Sequence, residues 1–406
     1  MRSCSWRGLL ATSLGLFAAG ANAQTGTLLD LGSLLAGQKN LTTFYALIQK
    51  YPEILLQLPS TQGVTILAPN NDAFNKIPYS SLNDAFKNNN QDVITNVLEY
   101  HILQGTRLAA QLIPGSPTFI PTLLTSPEWN NVTGGQRVEN VKQAGNVVVF
   151  VSGQGSRSTL TQADLSFTGG VVQVIDSLLI PPSNLTDTTT AFNLTSFEGA
   201  LYAGDKLPFD STAPSVTFFA PWNAAFQALG PAISTMTSDE IGQIMDYHMV
   251  PQVVYSTDLT NGTKLITAQG ENITVLHSGN NIYINSAQLL QTDILIANGV
   301  IHMIDNVLNP QGPDAQPNPT IASQPPVYPG ATSVVNLPFT SDIPCTSSCP
   351  VTSHSSTSTG VSGKTTPTPT SVYTSKSKGV GAAVARETGF HAAGLMVALG
   401  GAVMLL

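Results

Sequence analysis

Three histidines invite a search for chemistry: His101 and His248, each directly after a tyrosine, and His302, in an alternating strand pattern. An imidazole titrates near neutral pH and can move a proton or ligate a metal when a nucleophile, a carboxylate or further ligands stand beside it. The chain supplies little of that company. It has no H-E-x-x-H, no G-x-S-x-G and no phosphate-cradling glycine loop. Asp176 and Asp305 each close an apolar run, a place where a carboxylate fixes a turn. No pair of carboxylates can be named for polysaccharide cleavage. His101 and His248 end helical patterns and read as core histidines held by one hydrogen bond, and His302 is matched elsewhere in the chain by Gln173, which argues against a repeated catalytic or metal site. No catalytic, cofactor-binding or metal-ligating residue is therefore nominated.

The elements that must position these residues occur twice. "VTILAPNNDAF" at 64–74 returns as "VTFFAPWNAAF" at 216–226, and each reads as a strand stopped by Ala-Pro and turned into a helix. "NLTTF" at 40–44 returns as "NLTSF" at 193–197, each opening a helical pattern. Leu41, Phe44, Ile48, Tyr51 and Leu55 share one face in the first, and Leu194, Phe197 and Leu201 in the second. "EYHIL" at 99–103 pairs with "DYHMV" at 246–250, and "GGVVQVIDSLLIP" at 169–181 with "NGVIHMIDNVLNP" at 298–310. Four phrases in one order, twice, mean a duplicated domain. Copy one takes a longer path between its last two phrases, which places an insertion around 113–137. Pro114, Pro117, Pro121, Pro127 and Gly134-Gly135 make that insertion read as a surface connection.

These phrases resemble the fasciclin domain, whose hallmarks are a Thr-x-x-Ala-Pro-x-Asn-x-Ala-Phe corner, a Tyr-His pair and a Gly-Val-x-x-x-Ile-Asp closing strand. Both copies match all three, with Trp222 in place of Asn70 and Gln173 in place of His302. The resemblance covers roughly residues 24–310. It implies an α+β fold of two tandem modules, 24–183 and 184–310, each a small β-sandwich or wedge with a layer of helices at one end. In animal fasciclin proteins the Tyr-His region and an Asp-Ile segment before the closing strand are associated with receptor binding. That implies contacts at Tyr247, His248, Asp293, Ile294 and Leu295, and in copy one at Tyr100, His101, Asp164 and Leu165. The other reading is that both segments simply complete the module.

The flanks carry signals of their own. Arg2 and Arg7, an apolar run from Leu9 to Ala19 and Ala21-Asn22-Ala23 spell a secretory leader over 1–23, with the mature chain starting at Gln24. Sequons stand at Asn40, Asn131, Asn184, Asn193, Asn261 and Asn272. Asn40 and Asn193 occupy matching places before a helix, where each is a glycan acceptor or a helix cap. Residues 311–378 are rich in Ser, Thr and Pro without apolar periodicity, the composition of an extended, O-glycosylated stalk. Small residues at 379–383, a spacer and an apolar run from Ala392 to Leu406 form a glycosylphosphatidylinositol signal with attachment at Gly381 and removal of the tail. Cys4 leaves with the leader. A Cys345–Cys349 bridge needs a tight turn, and intermolecular pairing or free thiols stay open beside it.

Charged residues make up 10% of the chain and the formal net charge is -8, so no basic footprint for nucleic acid exists. The expected function is a cell-surface adhesion or interaction glycoprotein, lipid-anchored to the plasma membrane or transferred to the cell wall, with a protein or glycan partner at the cell surface, matrix or wall. A structural wall or matrix glycoprotein is the alternative, and a polysaccharide-acting enzyme a weaker one. Vacuolar residence stays open, because the secretory route serves both destinations.

Overall fold

The computed structural model describes residues 28–56, 58 and 63–344. The leader, Cys345, Cys349, Gly381 and the apolar tail lie outside the described residues.

Module one contains strands β1 (Val64–Pro69), β2 (Ile102–Gln104), β3 (Thr118–Pro121), β4 (Arg137–Lys142), β5 (Val148–Val151), β6 (Arg157–Phe167) and β7 (Gly170–Ile175). Its helices are α1 (Leu31–Ala36), α2 (Thr42–Lys50), α3 (Glu53–Leu56), α4 (Asn71–Phe74), α5 (Asn83–Lys87) and α6 (Gln91–Tyr100). Module two contains β8 (Val216–Pro221), β9 (Met249–Val250), β10 (Lys264–Ile266), β11 (Asn272–Ser278), β12 (Asn281–Ile284), β13 (Ala287–Ile296) and β14 (Gly299–Ile304). Its helices are α7 (Leu185–Ala191), α8 (Thr195–Ala203), α9 (Leu207–Asp210), α10 (Asn223–Leu229), α11 (Pro231–Ser234) and α12 (Ser238–Tyr247).

The strand order is β2-β1-β7-β6-β5-β4-β3 in the first sheet, and β9-β8-β14-β13-β12-β11-β10, the same order, in the second. Each sheet has one parallel pair, β1 with β7 and β8 with β14, and the other pairings are antiparallel. β1 and β8 are buried along their whole length, which is why both read as continuous apolar runs rather than alternating ones. Ile66 and Ala68 face the helices with Phe44, Ile48, Ile94 and Leu98, whereas Leu67 faces a second core with Tyr100, Val138, Phe150 and Ile175. That second core joins strands from both ends of the sheet. The sheet therefore curls on itself, and a bridge from Leu103 to Thr122 nearly closes it. The expected small wedge with a helical layer is the fold observed, twice.

The repeated Gly-Val phrase has a steric cause. A Cβ at Gly170 would stand 2.1 Å from the carbonyl oxygen of Val64, and one at Gly299 would stand 1.8 Å from that of Val216. Only glycine lets the closing strand start against the central one.

Two expectations need correction. An extended stalk does not begin at Gln311, because residues 311–344, without helix or strand, lie along module two. Tyr328 is buried there and donates its hydroxyl to the Leu308 carbonyl at 2.8 Å. Phe339 meets Phe226 edge to face at 6.0 Å, and its backbone fits over Gly199 where any Cβ would clash. A few apolar side chains thus dock a stretch whose composition is that of a linker. The insertion at 113–137 is not merely a surface connection either, since it forms β3 and joins the two modules.

Candidate functional site

The corner phrases hold helices rather than reagents. In module one, Asn71 Oδ1 accepts the Thr43 N–H at 3.0 Å, and in module two Asn223 Oδ1 accepts the Ser196 N–H at 3.0 Å. These donors belong to the first turns of α2 and α8, whose own N-cap residues, Leu41 and Leu194, make no side-chain bond. The cap is supplied from across the corner. Asn40 and Asn193 are therefore not caps, and both are exposed.

Tyr100, His101, Tyr247 and His248 are all buried, with 1% exposure or less. His101 Nδ1 donates to the Val97 carbonyl at 2.7 Å, and its Nε2 accepts the Leu179 N–H at 3.0 Å. His248 repeats this with Ile244 at 2.7 Å and Leu308 at 2.9 Å. Each ring staples the end of a helix to the segment after the closing strand. The bonds fix one neutral tautomer, and burial pushes both imidazoles down to about 4. The tyrosines donate to backbone carbonyls, Tyr100 to Arg137 at 2.9 Å and Tyr247 to Asn272 at 3.1 Å. None of the four can meet a partner from solution.

The Asp-Leu and Asp-Ile segments are β-bulges. β6 slips register against β7 between Gln162 and Leu165, and β13 against β14 between Gln291 and Ile294. Asp164 and Asp293 take left-handed conformations there, with φ of 58° and 60°. Each carboxylate accepts a backbone N–H from a crossing loop, Ala109 at 3.0 Å and Ser256 at 2.8 Å. The Gln173-for-His302 exchange now has a reason. Gln173 Oε1 accepts the Asp164 N–H at 2.9 Å and its amide donates to the Arg107 carbonyl at 3.0 Å. His302 Nδ1 accepts the Asp293 N–H at 3.2 Å and Nε2 binds the Val254 carbonyl at 2.8 Å. A neutral imidazole and a carboxamide offer the same acceptor and donor. Thr65 and Thr217 complete this network, accepting N–H bonds from Arg107 and Val254.

Module one covers the outer side of the second bulge. The Asn131 N–H donates to the Ala297 carbonyl at 2.7 Å, the Ser215 N–H donates to the Asn131 carbonyl at 3.0 Å, and the Gln136 amide reaches the Ile296 carbonyl at 3.0 Å. Phe119 stacks on Tyr255 at 4.0 Å and Arg137 lies over the same ring at 5.5 Å. Phe119 also packs with Leu295 and Val300. Glu139 faces the seam as well. Burial pushes its carboxyl up to about 7, with the Asp293 charge adding to the shift. Asp293, Ile294 and Leu295 are 5%, 2% and 1% exposed, so the reading of this triplet as an exposed contact fails. Ile294 turns into the core of its own module, and Leu295 into the seam. In module one, Asp164 and Leu165 are half-buried, and Ser166, the counterpart of Leu295, is exposed.

Sequence reasoning missed Asn71 and Asn223, Thr65 and Thr217, and the seam residues. One signal was present: Leu295 is apolar where module one has Ser166. Among the described residues no group of three or more His, Cys, Asp or Glu side chains stands together to hold a metal. No helix there is long and apolar enough to cross a membrane.

The twofold wedge, the capping corner and the stapling histidine define a class of module, and comparison identifies it. The fasciclin domain model matches residues 39–181 and 184–310, and the chain belongs to the fasciclin family. A fasciclin-like arabinogalactan protein of Arthroderma benhamiae is 34% identical over 299 residues, spanning 73% of this chain and 70% of that protein. The fasciclin-like arabinogalactan protein CTB11 of Cercospora beticola is 24% identical, over 73% of this chain and 80% of its own length. A solved domain pair from the insect cell adhesion molecule fasciclin I aligns with a TM-score of 0.33 at 21% identity, covering 68% of this chain and 98% of its own.

Proposed function

We propose that the chain is a secreted surface glycoprotein whose two-module body engages a cell-surface, matrix or wall partner, protein or glycan, through the bulge face of module one. The observation that carries this reading is an asymmetry. The face around Asp293 is closed by module one, whereas its counterpart around Asp164 leaves Arg107, Ala163 and Ser166 exposed. Membership in the fasciclin family supports a cell-surface, adhesion-type role. Asp164 is tied into the fold by its backbone bonds, so the contact is made by its neighbours on an ordered strand, a pre-organised surface that loses little freedom on binding.

The leader at 1–23, glycans on the exposed sequons, a stalk within 345–378 and a lipid at Gly381 complete the proposal and hold the body away from the membrane. Treating intact producing cells with a phosphatidylinositol-specific phospholipase should release the protein, and the released protein should rebind to cell surfaces stripped of it. Release without rebinding supports a structural glycoprotein instead. A mature chain that still ends at Leu406 rejects the anchor, and recovery from vacuoles alone rejects surface display.

A further inference from the structure

We propose that Asn131 is a glycan acceptor whose occupancy decides whether the two modules dock: the docked protein is bare at Asn131, and a chain glycosylated there has an open seam. Asn131-Val132-Thr133 is a complete acceptor triplet, and its amide and hydroxyl both bond across the seam. Asn131 Nδ2 donates to the Thr212 carbonyl of module two at 2.9 Å. The Thr133 N–H donates to Ser215 Oγ at 2.8 Å, and Ser215 Oγ donates to Thr133 Oγ1 at 2.8 Å. Main-chain bonds from Asn131 to Ala297 and from Ser215 to Asn131 fasten the same residue on both sides. The other five acceptor residues are exposed, and among the described residues none gives its amide to the opposite module.

The chemistry makes the two states compete. Transfer from a lipid pyrophosphate-linked oligosaccharide breaks the bond from sugar C1 to the phosphate oxygen and forms a bond from C1 to Nδ2. The amide gives up one proton and the lipid pyrophosphate leaves. Nδ2 keeps a single hydrogen and gains a bulky saccharide at an atom that now lies against the backbone of module two. Synthesis order gives the acceptor its chance. Ser215 follows Thr133 by 82 residues, so the triplet emerges before the surface that will cover it exists. The inference rests on the secretory part of the proposed function, since glycan transfer of this kind needs that route.

The test compares wild type and a Thr133→Val variant that keeps the other five sequons, each made as the full chain both in bacteria and by secretion from a glycosylating host behind a foreign leader. The bacterial variant reads the effect of losing the Ser215–Thr133 hydroxyl bond alone. Glycopeptide mass spectrometry reads occupancy at Asn131, and hydrogen exchange reads the Asn131 and Ser215 amides that donate across the seam. Slow exchange is expected in the bacterial wild type, and the secreted variant should exchange like the bacterial variant. In the secreted wild type, the glycosylated fraction should exchange at least ~10-fold faster, with a larger radius of gyration. An unoccupied Asn131 in secreted wild type, equal protection in its glycosylated fraction, or faster exchange in secreted than in bacterial Thr133→Val would each overturn the proposal. The foreign leader keeps this outcome separate from whether residues 1–23 direct secretion.

Discussion

Replacing Asp210 by Asn isolates one buried charge. Asp210 is 1% exposed and neither carboxylate oxygen has a hydrogen-bond partner. Burial, reinforced by Asp246 and opposed by Lys206, pushes its carboxyl from an ordinary 3.8 up to about 7. The folded state thus keeps a proton that the unfolded chain gives up. The stability this confers is complete below 3.8 and is lost as the pH climbs toward about 7. At ~1.4 kcal/mol per pKa unit, the loss above that point is about 4 kcal/mol. Asparagine has the same shape and never ionises. Burying its unpartnered amide costs about 1–3 kcal/mol at every pH. The gap between Asp210→Asn and wild type should therefore move in favour of the variant by about 4 kcal/mol from pH 4 to pH 8. Urea titrations followed by circular dichroism at intervening pH values measure it. His101 and His248 act in the opposite sense in both proteins: their neutral forms stabilise fully above 6.5, and that contribution fades as the pH falls toward about 4. It cancels in the difference. A difference that stays constant, or that moves in favour of wild type with rising pH, would refute the assignment of Asp210 as a buried, unpartnered carboxyl.

His101→Ala and His248→Ala should each destabilise the protein by about 1–3 kcal/mol for the stranded Leu179 or Leu308 N–H, with a further cavity cost, read as a lower urea midpoint. Asn71→Ala and Asn223→Ala remove the caps supplied across the corner and should cost about 0.5–2 kcal/mol each, measured the same way. His302→Gln should be tolerated at a cost of about 1 kcal/mol, because Gln173 makes the equivalent bonds in module one and only the stack on Phe219 is lost. Thermal unfolding checks this, and a loss as large as that of His248→Ala would contradict the equivalence.

Much of this architecture was legible because the duplicated phrases carry their own cause. Val64 and Val216 start strands buried on both faces, Gly170 and Gly299 are forced by contact with those strands, and a histidine after a helical pattern has one economical use in a dry core. The parts that were not legible depend on the other half of the chain. Nothing local to Asp293-Ile294-Leu295 says that Phe119, Asn131 and Gln136 will cover it, and a Pro- and Gly-rich insertion has the composition of any surface loop. Residues 311–344 misled for a related reason. Tyr328 and Phe339 are too widely spaced to set a period, yet they are enough to dock an irregular segment onto a surface already built. The Asn71 and Asn223 caps were missed because capping is sought in the residues just before a helix, and here the donor and acceptor lie 28 and 27 positions apart.

The proposed partner surface is the bulge face of module one, while that of module two is closed by module one in the docked body. Ser166→Arg places a bulky charge at the centre of the open face, on an exposed position whose counterpart, Leu295, is buried in the seam. Rebinding of the released protein to stripped cell surfaces should fall at least ~10-fold, a loss of about 1.4 kcal/mol or more, with the unfolding midpoint unchanged. Rebinding equal to wild type by a folded Ser166→Arg protein would contradict a partner site on this face.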